Sequence, residues 1–275
     1  MTRRIDLLLL LASAFVFPAS VSAAQDEFIF GVNEGVTYRI TPHETRERYK
    51  ELADVLGRVL GRTVKIVPED NYVKLRAHLE AKYYDLAYVH PAHHSYRAIR
   101  DQGYQLVVLT KGWDQYKARF MTMPEAQYKQ PHAVLDLKMV MPDPDSITAW
   151  MVRATLRDMG ADLKTVQLGT TRYQDGIPFM MEYGFYQVGI TAAGSVVKEW
   201  QSKGGKVLFE SRPVPIKHVI ASPNVPKEEV QKIRDVFLNL EHTKGGQAIL
   251  QKLGFTGYLK PDENQTAELT KWLGI

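Results

Sequence analysis

Apolar runs rich in β-branched residues alternate with stretches of helical periodicity along the chain, the pattern of sheets covered by helices. Residues 28–32 read as a first strand. Thr41-Pro42 then opens a helix whose Tyr49, Leu52, Ala53, Leu56, Val59 and Leu60 share one face, and Gly61 ends it. A strand at 64–67 follows, with Asn71 placed to cap a helix carrying Val73, Leu75 and Leu79. Strands at 85–89 and 105–109 flank a helix at 92–100. The second half repeats the scheme: strand 137–141, a helix after Asp145, strand 165–168, helix 174–183 and strand 187–191. After a strand at 207–209, Ser211-Arg212-Pro213-Val214-Pro215 breaks the pattern. A strand at 217–221 and three helices, near 226–240, 244–252 and 261–273, close the chain. The expected fold is α/β with two lobes, each a mixed, mostly parallel sheet flanked by helices, and a ligand cleft between them. The expected first lobe is discontinuous, 25–114 with 217–275. The second is 115–216, reached by crossings at 113–119 and 213–217.

The first 24 residues stand apart. Arg3 and Arg4 precede the apolar run 7–17, and Val21-Ser22-Ala23 fits a small-residue cleavage site, so this segment reads as a cleaved signal peptide and the protein as periplasmic. Its 275 residues less 24 leave 251, enough for two domains with cores of their own. No later run approaches the roughly 18 apolar residues of a membrane helix, so no stable membrane insertion is expected after cleavage. With no cysteine, thiolate metal sites and cysteine nucleophiles are excluded. A formal charge of +4, from 35 basic and 31 acidic residues, is too small and scattered for nucleic acid. No nucleophile elbow, zinc-protease motif or phosphate loop is present. These absences leave no catalytic residue or cofactor to expect.

Two junctions carry the candidate chemistry. In 84–98, Tyr-Asp-Leu-Ala-Tyr-Val-His-Pro-Ala-His-His-Ser-Tyr-Arg-Ala, a short apolar strand ends at Tyr88 and His90 and a helix begins at once. Such carboxyl edges, facing positive helix starts, are where α/β proteins bind ligands. In 141–150, two prolines precede Ser146, Ile147 and Thr148 at another helix start. Its amides and hydroxyls could hold an anionic oxygen; equally, Asp145 or Ser146 could simply cap the helix. His90, His93 and His94 admit three readings: a polar cleft wall, helix-start packing, or a metal site that has no neighbouring carboxylate or thiolate to complete it.

Together these segments resemble the periplasmic phosphate, phosphite and phosphonate binding proteins of ABC transport systems, which have the type II periplasmic binding fold. The similarity rests on Asn71-Tyr72-Val73-Lys74-Leu75 ahead of 85–94, and on Asp143-Pro144-Asp145-Ser146-Ile147-Thr148-Ala149 in place of the family's phosphate loop. It implies that Ser146, Thr148 and the amides around Ile147 hold an oxyanion, with Tyr38 and His94 facing it from the first lobe. It places Tyr173 where the family has a histidine, with Arg172 beside it as a source of charge. His90 stands for a glycine, and Gln187 for a carboxylate that would grip an aminoalkyl ammonium. The implied ligand is thus a small oxyanion such as phosphite, phosphate or an uncharged-tailed phosphonate. The implied partner is an ABC permease or, alternatively, a periplasmic sensor-kinase domain, the protein acting as a monomer; His-dependent metal binding is the remaining alternative.

Overall fold

The computed structural model describes residues 27–35 and 40–275; the signal segment and Tyr38 lie outside the described residues. The first half runs β1 (Phe28–Asn33), α1 (Pro42–Leu60), β2 (Val64–Pro68), α2 (Tyr72–Glu80), β3 (Leu86–Val89), α3 (His93–Gln102) and β4 (Gln105–Thr110). The middle comprises β5 (Arg119–Thr122), β6 (Met139–Pro142), α4 (Ile147–Asp158), β7 (Leu168–Thr171), α5 (Gly176–Glu182), β8 (Val188–Thr191), α6 (Gly194–Ser202) and β9 (Lys206–Glu210). The chain closes with β10 (His218–Ala221), α7 (Lys227–Asn239), α8 (Lys244–Leu253), β11 (Tyr258–Leu259) and α9 (Glu263–Leu273).

Two mixed sheets result, ordered β11-β4-β10-β3-β1-β2 and β7-β6-β8-β5-β9. β1 pairs in parallel with β2 and β3, and β6 with β7 and β8, whereas β10 and β5 run antiparallel to their neighbours. The α1 register follows from its ends. Thr41 and Glu44 form a reciprocal capping box, Pro42 occupies the first turn, and Gly61 closes the helix at φ 67°. This turns Tyr49, Leu52 and Leu56 onto Phe28, Phe30 and Leu86 of the first sheet. In α2, Leu75 and Leu79 are buried one turn apart, while Val73 is exposed.

Four elements differ from the sequence reading, one of them β11, which lies between two closing helices expected without a strand between them and pairs antiparallel with β4. β7 begins at Leu168 rather than at Thr165, because Asp162 binds the amide of Lys164 and the hydroxyl of Thr165 and holds that stretch in a turn. β5, expected only as a crossing, is a central strand of the second sheet. α6 has no side-chain cap of its own: Gln174 Oε1, arriving from the loop before α5, accepts from the amides of Ala192 and Ala193 at 2.8 and 3.1 Å.

The two connections between sheets, 111–118 and 211–217, pair with each other. Val214 N donates to Tyr116 O at 2.9 Å, Ile216 N to Trp113 O at 3.0 Å, and Thr110 N to Lys217 O at 3.1 Å. The Lys217 ammonium stands 3.7 Å from the Trp113 ring centroid. Of the closing helices, α7 and α8 pack on α1 of the first sheet. α9, expected with the first lobe, packs on α4 instead, because Leu269, Leu273 and Ile275 complete the apolar cluster of Met151, Val152 and Leu156. The third passage of the chain between sheets is therefore the short stretch 260–262.

Close approach makes one glycine testable. A Cβ on Gly246, in the first turn of α8, would lie 2.2 Å from the carbonyl oxygen of Leu240. Since backbone cannot yield as a side chain does, Gly246→Ala is expected to cost about 1–3 kcal/mol, read as a lowered urea midpoint.

Candidate functional site

The carboxyl ends of β3 and β6 lead into α3 and α4, and the heads of these helices meet between the sheets. α3 belongs by sequence to the first lobe, yet its Ala92 and Tyr96 are buried in the apolar cluster that contains Phe120, Ile147, Ala149 and Met151 of the second. Ser95 fixes the helix start against β10: its hydroxyl donates to Ala92 O at 2.8 Å and accepts from His218 Nδ1 at 2.6 Å.

On the second-lobe side, Ser146 Oγ accepts from Ala149 N at 3.1 Å. The cap reading is therefore correct for its lone pair, which leaves the hydroxyl proton available to an anion. Ile147 is buried in the core, so only its amide can serve a ligand. Thr148 is buried as well, with Oγ1 3.4 Å from the Tyr116 hydroxyl on the connecting segment. Asp145 Oδ2 reaches Arg76 of α2 at 3.4 Å and its Oδ1 lies 3.7 Å from His93 Nε2, so the loop before α4 is paired across the lobes. Trp150, one turn into α4, has Arg97 of α3 4.9 Å and Arg153 4.5 Å from its ring centroid.

On the first-lobe side, His93 and His94 are 0% and 1% exposed, their rings 4.0 Å apart, and none of their four ring nitrogens has a hydrogen-bond partner. His94 packs on Tyr72 at 4.8 Å. His90 donates from Nδ1 to Ile216 O at 3.1 Å, tying the β3–α3 junction to the second connection. Burial lowers the basicity of all these groups: His90 to about 4, His94 to about 3, His218 to about 3, and His93 well below its ordinary value, with the neighbouring Arg76 and Arg97 adding to the effect at His93 and His94. The histidines are thus neutral at pH 7. The positive charge comes from Arg76, Arg97 and Arg153 against the single carboxylate of Asp145. Burial also lowers Lys217, to about 8. Among the described residues no group of three or more His, Asp or Glu side chains is placed to hold a metal ion.

Depressed histidine basicity has a signed consequence. The unfolded chain binds protons on these residues below about pH 6.5 and the folded chain does not, so their contribution is intact above that pH and is lost as pH falls toward 4. We expect the urea midpoint to drop between pH 7 and 4.5, by up to about 1.4 kcal/mol per pH unit for each buried histidine. A flat midpoint over that range would contradict the burial.

The remaining expected residues lie elsewhere. Arg172 and Tyr173 follow β7 on the same sheet edge but are exposed, and the guanidinium stands 5.3 Å from the Tyr173 ring rather than over α4. Gln187 corrects the expectation outright. Its Oε1 accepts from Lys138 N at 2.9 Å, at the amino end of β6 and β8, the opposite end of the sheet from the head of α4. Sequence reasoning left Arg76, Arg97, Tyr116 and Trp150 out of the site. Spacing held a clue for two of them: Arg97 is one turn beyond His93 and Arg76 one turn beyond Tyr72, on the same helix faces.

Two sheets joined by paired connections, with helix heads meeting at their carboxyl edges, define the type II periplasmic binding fold. XAC2383 from Xanthomonas citri, solved with ATP bound, matches with a TM-score of 0.71 at 12% identity, over 90% of this chain and 97% of that one. PhnD1 from Prochlorococcus marinus in complex with methylphosphonate matches with 0.62 at 13%, over 90% and 96%. The periplasmic aliphatic sulphonate binding protein SsuA from Escherichia coli matches with 0.59 at 11%, over 89% of each chain. At these identities the likeness shows the fold. No curated protein matches the sequence. The family model described as ABC transporter, phosphonate, periplasmic substrate-binding protein matches residues 35–266. The chain belongs to this family, a class of solute-binding rather than catalytic proteins whose setting is the periplasm. Among the described residues no helix is long and apolar enough to cross a membrane.

Proposed function

We propose that this protein, after removal of residues 1–24, captures a small tetrahedral oxyanion between its lobes as a monomer and delivers it to an ABC permease. Residues 25–114 with 217–262 make one lobe and 115–216 with α9 the other. The observation that carries the reading is the meeting of the α3 and α4 heads, where His93 and Arg76 reach Asp145, and Arg97 and Arg153 lie over Trp150, beside the Ser146 cap. Helix amino termini attract anions through their free amides and dipole, and exclusion of water strengthens each bond. His90 binds the connecting segment, and acts by coupling the β3–α3 edge to the hinge. Arg172 and Tyr173 are exposed enough to swing toward a ligand and form its outer rim.

Phosphite, phosphate and methylphosphonate are the candidate ligands; Gln187, at the far end of the sheet, has no part in choosing among them. Calorimetry of the purified protein against phosphite, phosphate, methylphosphonate, sulfate and zinc tests the reading. Binding of at least one oxyanion is expected, and binding of none, or of zinc alone, overturns it. A presenting role toward a sensor domain and a metal-binding role are not favoured by family membership or by the donor set.

A further inference from the structure

We propose that His93 and His94 make the site select an oxyanion that still carries a proton, such as a hydrogen phosphonate or hydrogen phosphate, over a fully ionised sulfonate or sulfate of the same shape. The inference rests on the oxyanion reading above and names the ligand class it serves.

The argument is one of donors and acceptors. A neutral imidazole has one N–H and one bare nitrogen, whichever tautomer is present. The four ring nitrogens of His93 and His94, all buried and without hydrogen-bond partners, therefore offer two donors and two acceptors. The Asp145 carboxylate, 3.7 Å from His93 Nε2, adds further acceptor oxygens. The amides at the α4 head and the hydroxyls of Ser146 and Thr148 supply the donors any oxyanion needs. A sulfonate or sulfate, which has only acceptor oxygens at neutral pH, meets the bare nitrogens and Asp145 lone pair to lone pair. A phosphonate or phosphate that keeps one O–H satisfies a bare nitrogen with it. Sites whose buried polar groups would be left unpaired reject the deficient analogue strongly.

The groups facing the pair are Arg76 and Tyr72 on α2, Arg97 on α3, His90 ahead of α3, and Asp145 and Trp150 on the α4 side. Burial keeps the histidines neutral. Between pH 6 and 9 the ligand's second ionisation then dominates; Lys217, beside His90, titrates near 8. A methanesulfonate profile reads the protein's own titration and corrects for it.

The test is calorimetry with methylphosphonate and methanesulfonate, from pH 6 to 9, in two buffers of different ionisation enthalpy. Methylphosphonate is expected to bind about 100-fold or more tightly at pH 6, with the ratio shrinking as pH rises and its O–H is lost. His94→Phe, which keeps the ring contacts but removes both nitrogens, is expected to narrow the ratio at pH 6 about tenfold by weakening methylphosphonate alone. Equal affinity for the two ligands, with about one proton taken up per sulfonate bound, would overturn the inference: imidazolium donors would then meet the ligand, and the oxyanion reading would stand. Failure of both ligands to bind would overturn this inference, and the oxyanion reading would fall with it only if phosphite, phosphate and sulfate also failed to bind.

Discussion

Replacing Ser146 by Ala together with Thr148 by Val is expected to weaken oxyanion binding by about 10²–10⁴-fold, since two hydroxyl donors to a charged group, each contributing roughly 1.5–3 kcal/mol, are lost. A change under tenfold would place the ligand elsewhere. The helix cap complicates the measurement, because Ser146 Oγ also accepts from Ala149 N and its removal costs about 1 kcal/mol of stability. Ser146→Asp separates the two roles. A carboxylate caps a helix start as well as a hydroxyl does, but repels an incoming anion, so this variant should fold with its urea midpoint nearly unchanged and bind no oxyanion at millimolar concentration.

The largest effect on stability is expected at Phe120. It is fully buried in β5 and stacked on Phe209 of β9 at 4.1 Å between ring centroids. It shares its cluster with Ala92 and Tyr96, the part of α3 that crosses to the second sheet. Truncation to Ala removes a large apolar surface and leaves a cavity between two strands, at a cost of about 3–5 kcal/mol. A urea midpoint within experimental error of the parent would show that the site collapses without penalty. Because the same cluster backs the head of α3, a variant that survives should also bind its ligand less tightly.

The alternation of strands and helices was legible because each element carries its own signal: the capping box and Gly61 around α1, the Asn71 cap of α2, the apolar run of β3. α6 was not, because its cap comes from Gln174, some twenty residues earlier, and no local pattern encodes it. β5 escaped notice because four residues pressed between two antiparallel neighbours need no alternation to be buried. The site shows the same division. Both helix heads could be found from strand-to-helix junctions and from the family resemblance. Their pairings could not, since Arg76 meets Asp145, and Tyr116 meets Thr148, only when the sheets are in place. Gln187 shows the hazard of transferring a role by motif alone: one position before β8 begins, a side chain belongs to the far end of the sheet.

The passage of the chain through 260–262 into α9 limits how the molecule can move. Paired connections alone would let the sheets swing apart about an axis through 111–118 and 211–217. α9, however, is fastened to the second sheet's layer by Arg157, whose Nη2 donates to Trp272 O at 2.8 Å, and by the Trp272 indole, which donates to Asp158 at 2.8 Å, and it also touches α3. Three residues span at most about 10 Å when extended. Under the proposed capture between lobes, parting at that edge would be capped at this scale, so an opening cleft would be tethered beside α9 and widest at the opposite rim.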